Sequence, residues 1–199
     1  MGSIVAIVLE LKPGQTPLDP DEVAGLKPRH ITTQGELDEW EAANILKAMR
    51  WLGRQNKLDV LNEHFCRQLH VRMFSDTWKW AGTFRHSDKN IGCDWTKISV
   101  NLRHLLDNTT YWLEHDVFPC EEVAVRFHHQ LVSLHPFPNG NGRHARLMAD
   151  CLLRQQGLAL FSWGSANLIA ANEVRMRYIQ ALRATDLNDY GLLQAFVRS

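Results

Sequence analysis

Between an apolar stripe that ends at Leu134 and another that opens near Gly142 lies His135-Pro-Phe-Pro-Asn-Gly-Asn-Gly-Arg-His-Ala-Arg146, a run whose residue types suit chemistry on an anion. Pro136 disfavours the α region for the residue before it, so a helix is expected to end at His135 and leave its imidazole at the mouth of a loop. A histidine placed there can accept a proton near neutral pH. Gly140 and Gly142 let the backbone turn tightly and approach a ligand. The helix that follows aims its unpaired N–H groups back into the loop, where an anion is held. Arg143 and Arg146, three apart in the first turn, share one face and set two guanidinium forks beside the same spot. Cations at a helix N-terminus oppose the macrodipole at a cost of some tenths of a kcal/mol to about 1 kcal/mol each, which a bound polyphosphate offsets. Singly, each feature has a plainer explanation: a helix-end histidine, a glycine loop, a solvated arginine pair. Together they describe a site built for negative charge.

Metal chemistry is the first competitor, because the chain has 10 histidines and His128, His129, His135 and His144 lie close in sequence. No H-E-x-x-H is present, and no carboxylate stands at ligand spacing beside His128 or His129. His128 falls on the same helix face as His135, two turns earlier, where a packing or hydrogen-bonding role is expected.

The elements that must position this loop are helical. Thr33-Gln-Gly-Glu36 has the capping-box spacing, and Leu37, Trp40, Asn44, Ala48 and Trp51 follow at helical intervals, predicting a helix over about 36–54. Leu61, Phe65, Leu69 and Met73 recur every four residues. Ile98, Leu102, Leu105, Leu106, Thr109 and Leu113 trace a further stripe. Pro119 suits a first helical turn, and Val123, Phe127, Leu131 and Leu134 form the apolar face of the helix it starts. The helix after the loop is expected to run to Gln156, with Gly157 in the left-handed position beyond it. Two shorter helices are predicted over 170–183 and 190–197. Only Thr83 to Ser99, punctuated by Gly, Asp and Asn, reads as a small β-hairpin. The fold class is therefore all-α, a helical bundle with one hairpin at its surface.

Composition sets the outer limits. A chain of 199 residues fits one domain, and 45% hydrophobic with 22% charged residues is ordinary for a globular protein. Lys+Arg and Asp+Glu both number 22, so no basic stripe marks a nucleic-acid or anionic-membrane partner. Cys66, Cys93, Cys120 and Cys151 form no C-x-x-C pair, which reads as free thiols in a reducing cytosol. The apolar start, residues 3–9, is short and lacks leader features, so a cytoplasmic location is expected. Residues 1–32, with Thr16-Pro-Leu-Asp-Pro-Asp-Glu22, form an extended N-terminal arm, and residues 33–199 the domain proper.

The loop segment resembles the signature of the Fic/DOC family, H-x-F-x-D/E-G-N-G/K-R-x-x-R, at His135, Phe137, Gly140, Asn141, Gly142, Arg143 and Arg146. Only the acidic position departs, being Asn139. From about Leu18 on, the chain also resembles a bacterial Fic/DOC subgroup called mobile mystery protein B, through Trp78-Lys-Trp-Ala-Gly-Thr-Phe-Arg85 and Arg126-Phe-His-His129. The resemblance implies a Fic-like helical bundle whose hairpin, about 83–99, is a flap that docks a target protein. It implies a protein adenylyltransferase, moving AMP from ATP to a Ser, Thr or Tyr hydroxyl with His135 as general base. Asn139, Gly140, Asn141 and Gly142 would cradle the phosphates, Arg143 would meet the β-phosphate and Arg146 the γ-phosphate, while Phe137 anchors the loop. The usual acid binds the Mg²⁺ of the nucleotide; Asn139 offers only a neutral carbonyl oxygen, and is either a weak metal ligand or a turn residue.

Two alternatives remain. The DOC branch moves the γ-phosphate as a kinase, but its loop carries Lys where Gly142 stands and lacks the second arginine. A toxin module or weak scaffold acting through a partner is the other. Fic proteins are often restrained by a glutamate from an S/T-x-x-x-E-G/N helix that pairs with the second motif arginine. Thr32-Thr-Gln-Gly-Glu36 has the spacing but is followed by Leu37. Restraint is therefore expected from an antitoxin-like regulator that contributes an acidic side chain to Arg146.

Overall fold

The computed structural model describes residues 16–165 and 171–199. The apolar start at residues 3–9 lies outside the described residues. Within them the chain is helical: α1 (Pro20–Val23), α2 (Gln34–Gly53), α3 (Glu63–Phe74), a 3₁₀ turn (Trp95–Lys97), α4 (Ile98–Glu114), α5 (Cys120–Leu134), α6 (Asn141–Gln155), α7 (Ala171–Asp186) and α8 (Gly191–Val197).

Helix α2 starts where its capping box requires. The Thr33 hydroxyl accepts the Glu36 N–H at 3.3 Å, and the Glu36 carboxylate accepts the N–H groups of Thr33 and Thr32 at 3.0 and 2.8 Å. Glu36 is thereby committed to the helix start and lies in the exposed first turn. The buried face of α2 is Leu37, Glu41, Asn44, Ala48 and Leu52, which corrects the expected stripe: Trp40 and Trp51 stand at its rim. Glu41 and Asn44 are buried because both have partners across the interface. Asn44 donates to the Arg72 carbonyl at 3.1 Å and accepts the Asp76 N–H at 2.9 Å.

Helices α5 and α6 make up the core pair. Val123, Phe127, Leu131 and Leu134 of α5 pack with Ala145, Met148 and Leu152 of α6, and α4 covers α5 through Leu102, Leu105 and Leu106. Pro119 is the residue just before α5, and Leu61 precedes the first residue of α3. Gly157 takes φ +71° beyond α6, as its position after the helix predicted.

The hairpin expected over 83–99 is not formed. Among the described residues the one β pairing is an isolated bridge between Leu26 and Trp78. The reason is the guanidinium of Arg85, which is buried and donates to the carbonyls of His135 (2.7 Å), Ser87 (2.8 Å) and Cys93. Carbonyls that a ladder would need are turned inward to satisfy one cation. Asp94 then caps the 3₁₀ turn, accepting the Thr96 N–H at 2.9 Å.

The arm, expected to be extended, turns through α1 and is tied down over its described part. Lys89 has a buried ammonium held by Asp19 and Glu22, each at 2.7 Å, and Ser87 donates to Asp19 at 2.5 Å. Trp80 Nε1 donates to the Glu22 carbonyl at 2.9 Å.

The α2 cap yields a test. Thr33→Ala is expected to cost about 1 kcal/mol, a fall in Tm of about 2–4 °C for a chain of this size, measured by thermal denaturation. Glu36→Gly should leave any activity of the isolated protein unchanged, since its carboxylate serves the helix start; a many-fold rise would reveal internal restraint.

Candidate functional site

The loop 135–140 joins the two best-packed helices, and its backbone is pinned at nearly every residue. His135 ends α5 in the left-handed region, φ 54° and ψ 60°. That conformation is uncommon for a non-glycine residue, and rarer still before proline. Arg85 holds it: its Nε donates to the His135 carbonyl and its backbone N–H to the Pro136 carbonyl at 3.0 Å. Gly92, at φ +106°, packs so closely that a Cβ there would come within 2.8 Å of both His135 Cβ and the Arg85 guanidinium.

Phe137 is fully buried and stacked on the His70 ring, centroids 3.8 Å apart. The Asn141 side chain clamps it by both ends, accepting the Phe137 N–H at 2.9 Å and donating to its carbonyl at 2.7 Å. His70 Nδ1 accepts the Gly82 N–H at 2.9 Å, so the ring proton sits on Nε2 and is donated to the Asn139 carbonyl at 3.1 Å. Burial, and then the His144 ring, hold His70 neutral, far below the usual histidine range. Asn139 Oδ1 accepts the N–H of the next residue, Gly140, at 2.6 Å. Gly140 must be glycine: φ is +79° and a Cβ would lie 2.5 Å from the Phe74 ring.

Helix α6 then opens with no side-chain cap, so its first-turn N–H groups face the loop uncapped. Gly142 has room for ordinary contacts only, with Tyr178 Oη at 3.7 Å from where a Cβ would stand. Arg143 lies over the Phe74 ring at 5.0 Å and meets the buried Glu41 at 2.6 Å. Glu41 also accepts Trp78 Nε1 at 2.6 Å. Arg146 lies over Tyr178 at 5.3 Å and forms no ion pair among the described residues. A third guanidinium, Arg175 of α7, joins them: burial and then the charges of Arg146 and Arg143 lower its pKa.

His135 itself is not at an open mouth. It is 7% exposed, because Thr16 of the arm covers it with its hydroxyl Oγ1 2.9 Å from Nε2. Burial, then the charge of Arg85, lower its pKa to about 4, and a smaller opposing effect comes from the Val132 carbonyl. The ring is neutral at pH 7 and can act as a base. His128 is buried with Tyr178 Oη at 3.1 Å from its Nε2, the packing and hydrogen-bonding role expected of it.

The donors present do not fit a protein-held Mg²⁺. The loop's side-chain oxygens, Asn139 Oδ1 and Asn141 Oδ1, are neutral amides already accepting backbone N–H groups, whereas a hard cation wants charged oxygens. Among the described residues no group of three His, Cys, Asp or Glu could hold a metal.

Four residues that shape the site were not picked out from the sequence. Glu41 had a signal, a carboxylate one turn after Leu37 and one before Asn44 on a buried stripe. Arg85 stood only at the end of the segment Trp78–Arg85 that carries the subgroup resemblance, with no role assigned, and His70 and Arg175 had no signal, since their roles come from long-range packing.

The structure brings together a neutral histidine at a helix end, an uncapped helix N-terminus and the guanidinium groups of Arg143, Arg146 and Arg175, an arrangement suited to an anionic ligand. Residues 60–153 match the model of the Fic/DOC family. The chain is similar to protein adenylyltransferase fic-1 of Caenorhabditis elegans, 33% identical over 123 residues, covering 59% of this chain and 22% of that protein. It is 46% identical over 55 residues to a uridine 5′-monophosphate transferase of Xanthomonas campestris, covering 24% of this chain and 10% of that one. In fold it is similar to BepC of Bartonella tribocorum, solved with bound AMPPNP, at TM-score 0.66 and 16% identity, covering 84% and 87% of the two chains. Over residues 60–153 this chain is similar to the Fic/DOC family, and its fold is that of the solved Fic domains without a formed hairpin. It spans 22% and 10% of the lengths of those two curated relatives. No helix among the described residues is long and apolar enough to cross a membrane.

Buried neutral histidines give the protein an acid limit. The folded pKa values are about 3 for His128 and about 4 for His135 and His144, against 6.5 for the free side chain. Each binds fewer protons folded than unfolded, so its contribution is fully present above pH 6.5 and is lost as pH falls through the folded value. Asp150 acts oppositely, since burial raises its pKa to about 6. Three histidines, with His70 beside them, outweigh one carboxyl. Denaturant midpoints are expected to fall steeply between pH 6.5 and 4, by an amount worth a few kcal/mol; a flat profile there would mean these rings are not neutral and buried.

Proposed function

We propose that this domain transfers AMP from ATP to a protein hydroxyl, with His135 as the base. The observation that carries the reading is a neutral His135 ring whose Nε2 already meets a hydroxyl at 2.9 Å, one loop away from an uncapped helix start flanked by arginines. Names of relatives agree on the class, protein adenylyltransferase for fic-1, and the AMPPNP complex of BepC shows a nucleotide on this fold.

In this reading the hydroxyl oxygen attacks the α-phosphorus and its proton passes to His135 Nε2. The bond from the α-phosphorus to the bridging oxygen breaks, and pyrophosphate leaves. Arg143 and Arg146 neutralise the β- and γ-phosphates, helped by the first-turn N–H groups of α6 and the charge of Arg175. Gly140 and Gly142 let the backbone approach the phosphates. Asn141 contributes by holding the loop through Phe137, its side chain being committed there. Asn139 shapes the turn, and Mg²⁺, if required, arrives on the phosphates of ATP; no step uses a protein-held metal. The target segment docks along 83–99, and a regulator restrains the domain by placing an acidic side chain on Arg146.

A second nucleotide has one supporting observation, the short match to the uridine 5′-monophosphate transferase. Incubation with α-labelled ATP, γ-labelled ATP and α-labelled UTP in a cell lysate separates the readings. Label from the α-phosphate of ATP is expected. Label from UTP alone would move the reading to uridylyl transfer, and label only from the γ-phosphate would make the domain a kinase. His135→Ala should lower transfer by about 10²–10⁴-fold with the thermal transition retained; near wild-type labelling would remove His135 from the chemistry. Arg146→Ala should raise the ATP concentration needed for half-maximal rate, and an unchanged ATP dependence would count against its phosphate role.

A further inference from the structure

The arm places one particular hydroxyl where an acceptor would have to be. Thr16 is 5% exposed, its Oγ1 lies 2.9 Å from His135 Nε2, and the following residues are tethered rather than free. Pro17 fixes the backbone after it. Three residues on, Asp19 is held by Ser87 and Lys89, and Glu22 is held by the same buried Lys89 ammonium. The Asp19 carboxyl is kept below its ordinary pKa by Lys89 and then Ser87, so the tether persists to acid pH. Trp80 Nε1 on the Glu22 carbonyl and the Leu26–Trp78 bridge complete a seat that runs from α1 to the segment after α3.

A hydroxyl at hydrogen-bond distance from a neutral imidazole is the ground-state geometry of general-base activation. A tethered nucleophile also has a high effective concentration, so its reaction needs no docking step. From this placement we propose that Thr16 is an intramolecular acceptor, and that the chain modifies itself there with a nucleoside monophosphate. The proposal rests on His135 being the base. In the step, Thr16 Oγ1 forms a bond to the α-phosphorus of ATP, its proton moves to His135 Nε2, and the bond to the bridging oxygen breaks to release pyrophosphate. The product carries a phosphodiester on Thr16. Its added charge and bulk cannot remain in the space now filled by one hydroxyl, so modification also expels the arm from His135.

The test uses the full chain with α-labelled ATP and Mg²⁺, alone and with lysate, followed by peptide mapping by tandem mass spectrometry. Wild type is expected to gain one AMP on the peptide containing Thr16, with a fraction labelled per unit time that does not depend on chain concentration. Thr16→Ser should retain this label. Thr16→Val, which keeps the shape and removes the nucleophile, should lose it to background and label lysate proteins at least as well as wild type. Self-labelling that survives Thr16→Val overturns the proposal and leaves His135 as base. So does a wild type that labels lysate proteins but never itself, which would make Thr16 only a cover over the base. Absence of label from wild type and Thr16→Val alike, on self and lysate, overturns this proposal together with the adenylyl-transfer reading on which it rests.

Discussion

The left-handed turn at His135 is the constraint on which the rest depends. A β-unbranched, non-glycine residue in that region before a proline is held at a cost on the order of 1–3 kcal/mol, and the surrounding structure must supply it. Arg85 does so at both residues: its backbone N–H donates to the Pro136 carbonyl, and its buried guanidinium donates through Nε to the His135 carbonyl. A buried guanidinium in turn needs several acceptors, which it finds at Ser87 and Cys93, with Asp88 at 3.6 Å. The course of residues 85–93 follows from those needs. The absence of a hairpin in this stretch and the orientation of the proposed base are thus two consequences of one cation.

The same economy holds on the other side of the loop. His70 donates to Asn139 and stacks on Phe137, while Asn141 binds Phe137 at both backbone groups. With the loop fixed from within, Gly140 can lie against Phe74 and α6 can start uncapped. A loop held this way is preorganised, so the proposed phosphate site would lose little to ordering on being filled. The cost appears elsewhere, in buried imidazoles that must stay neutral and in like charges of Arg143, Arg146 and Arg175 gathered in one place.

Helices were legible in the sequence wherever apolar residues recurred at helical spacing, and α4, α5 and α6 came within a few residues of their bounds. The chemistry-bearing loop was legible because its logic is local: proline before the break, glycines in the turn, arginines in the next turn. What could not be read was set by distant partners. Trp40 and Glu41 are neighbours in sequence, and propensity favours burying the tryptophan; the structure buries the glutamate because Trp78 and Arg143 are there to receive it. Thr16 carried no signal at all, since its place against His135 depends on Lys89, which lies more than seventy residues further along. The hairpin expectation failed for a related reason. Its turn residues were read correctly as turns, but nothing local showed that Arg85 would draw their carbonyls inward.

The two motif arginines, equivalent on the page as a pair three apart, have become unequal in the fold. Glu41 is nearly fully buried, and its carboxylate is satisfied by one indole N–H and the Arg143 guanidinium. Removing Arg143 would leave the buried Glu41 carboxylate with only the indole N–H, so Arg143 is tied to stability as well as to any ligand. A substitution there would confound binding with folding. Arg146 has no such debt: its nearest contacts are a weak 3.3 Å donation to Gly142 and the face of Tyr178. It can swing to a phosphate, or to an acidic side chain of a regulator, without disturbing the core. Of the two, Arg146 is therefore the residue through which nucleotide and restraint would compete, and Arg143 the one that keeps α2 locked to the start of α6 while they do.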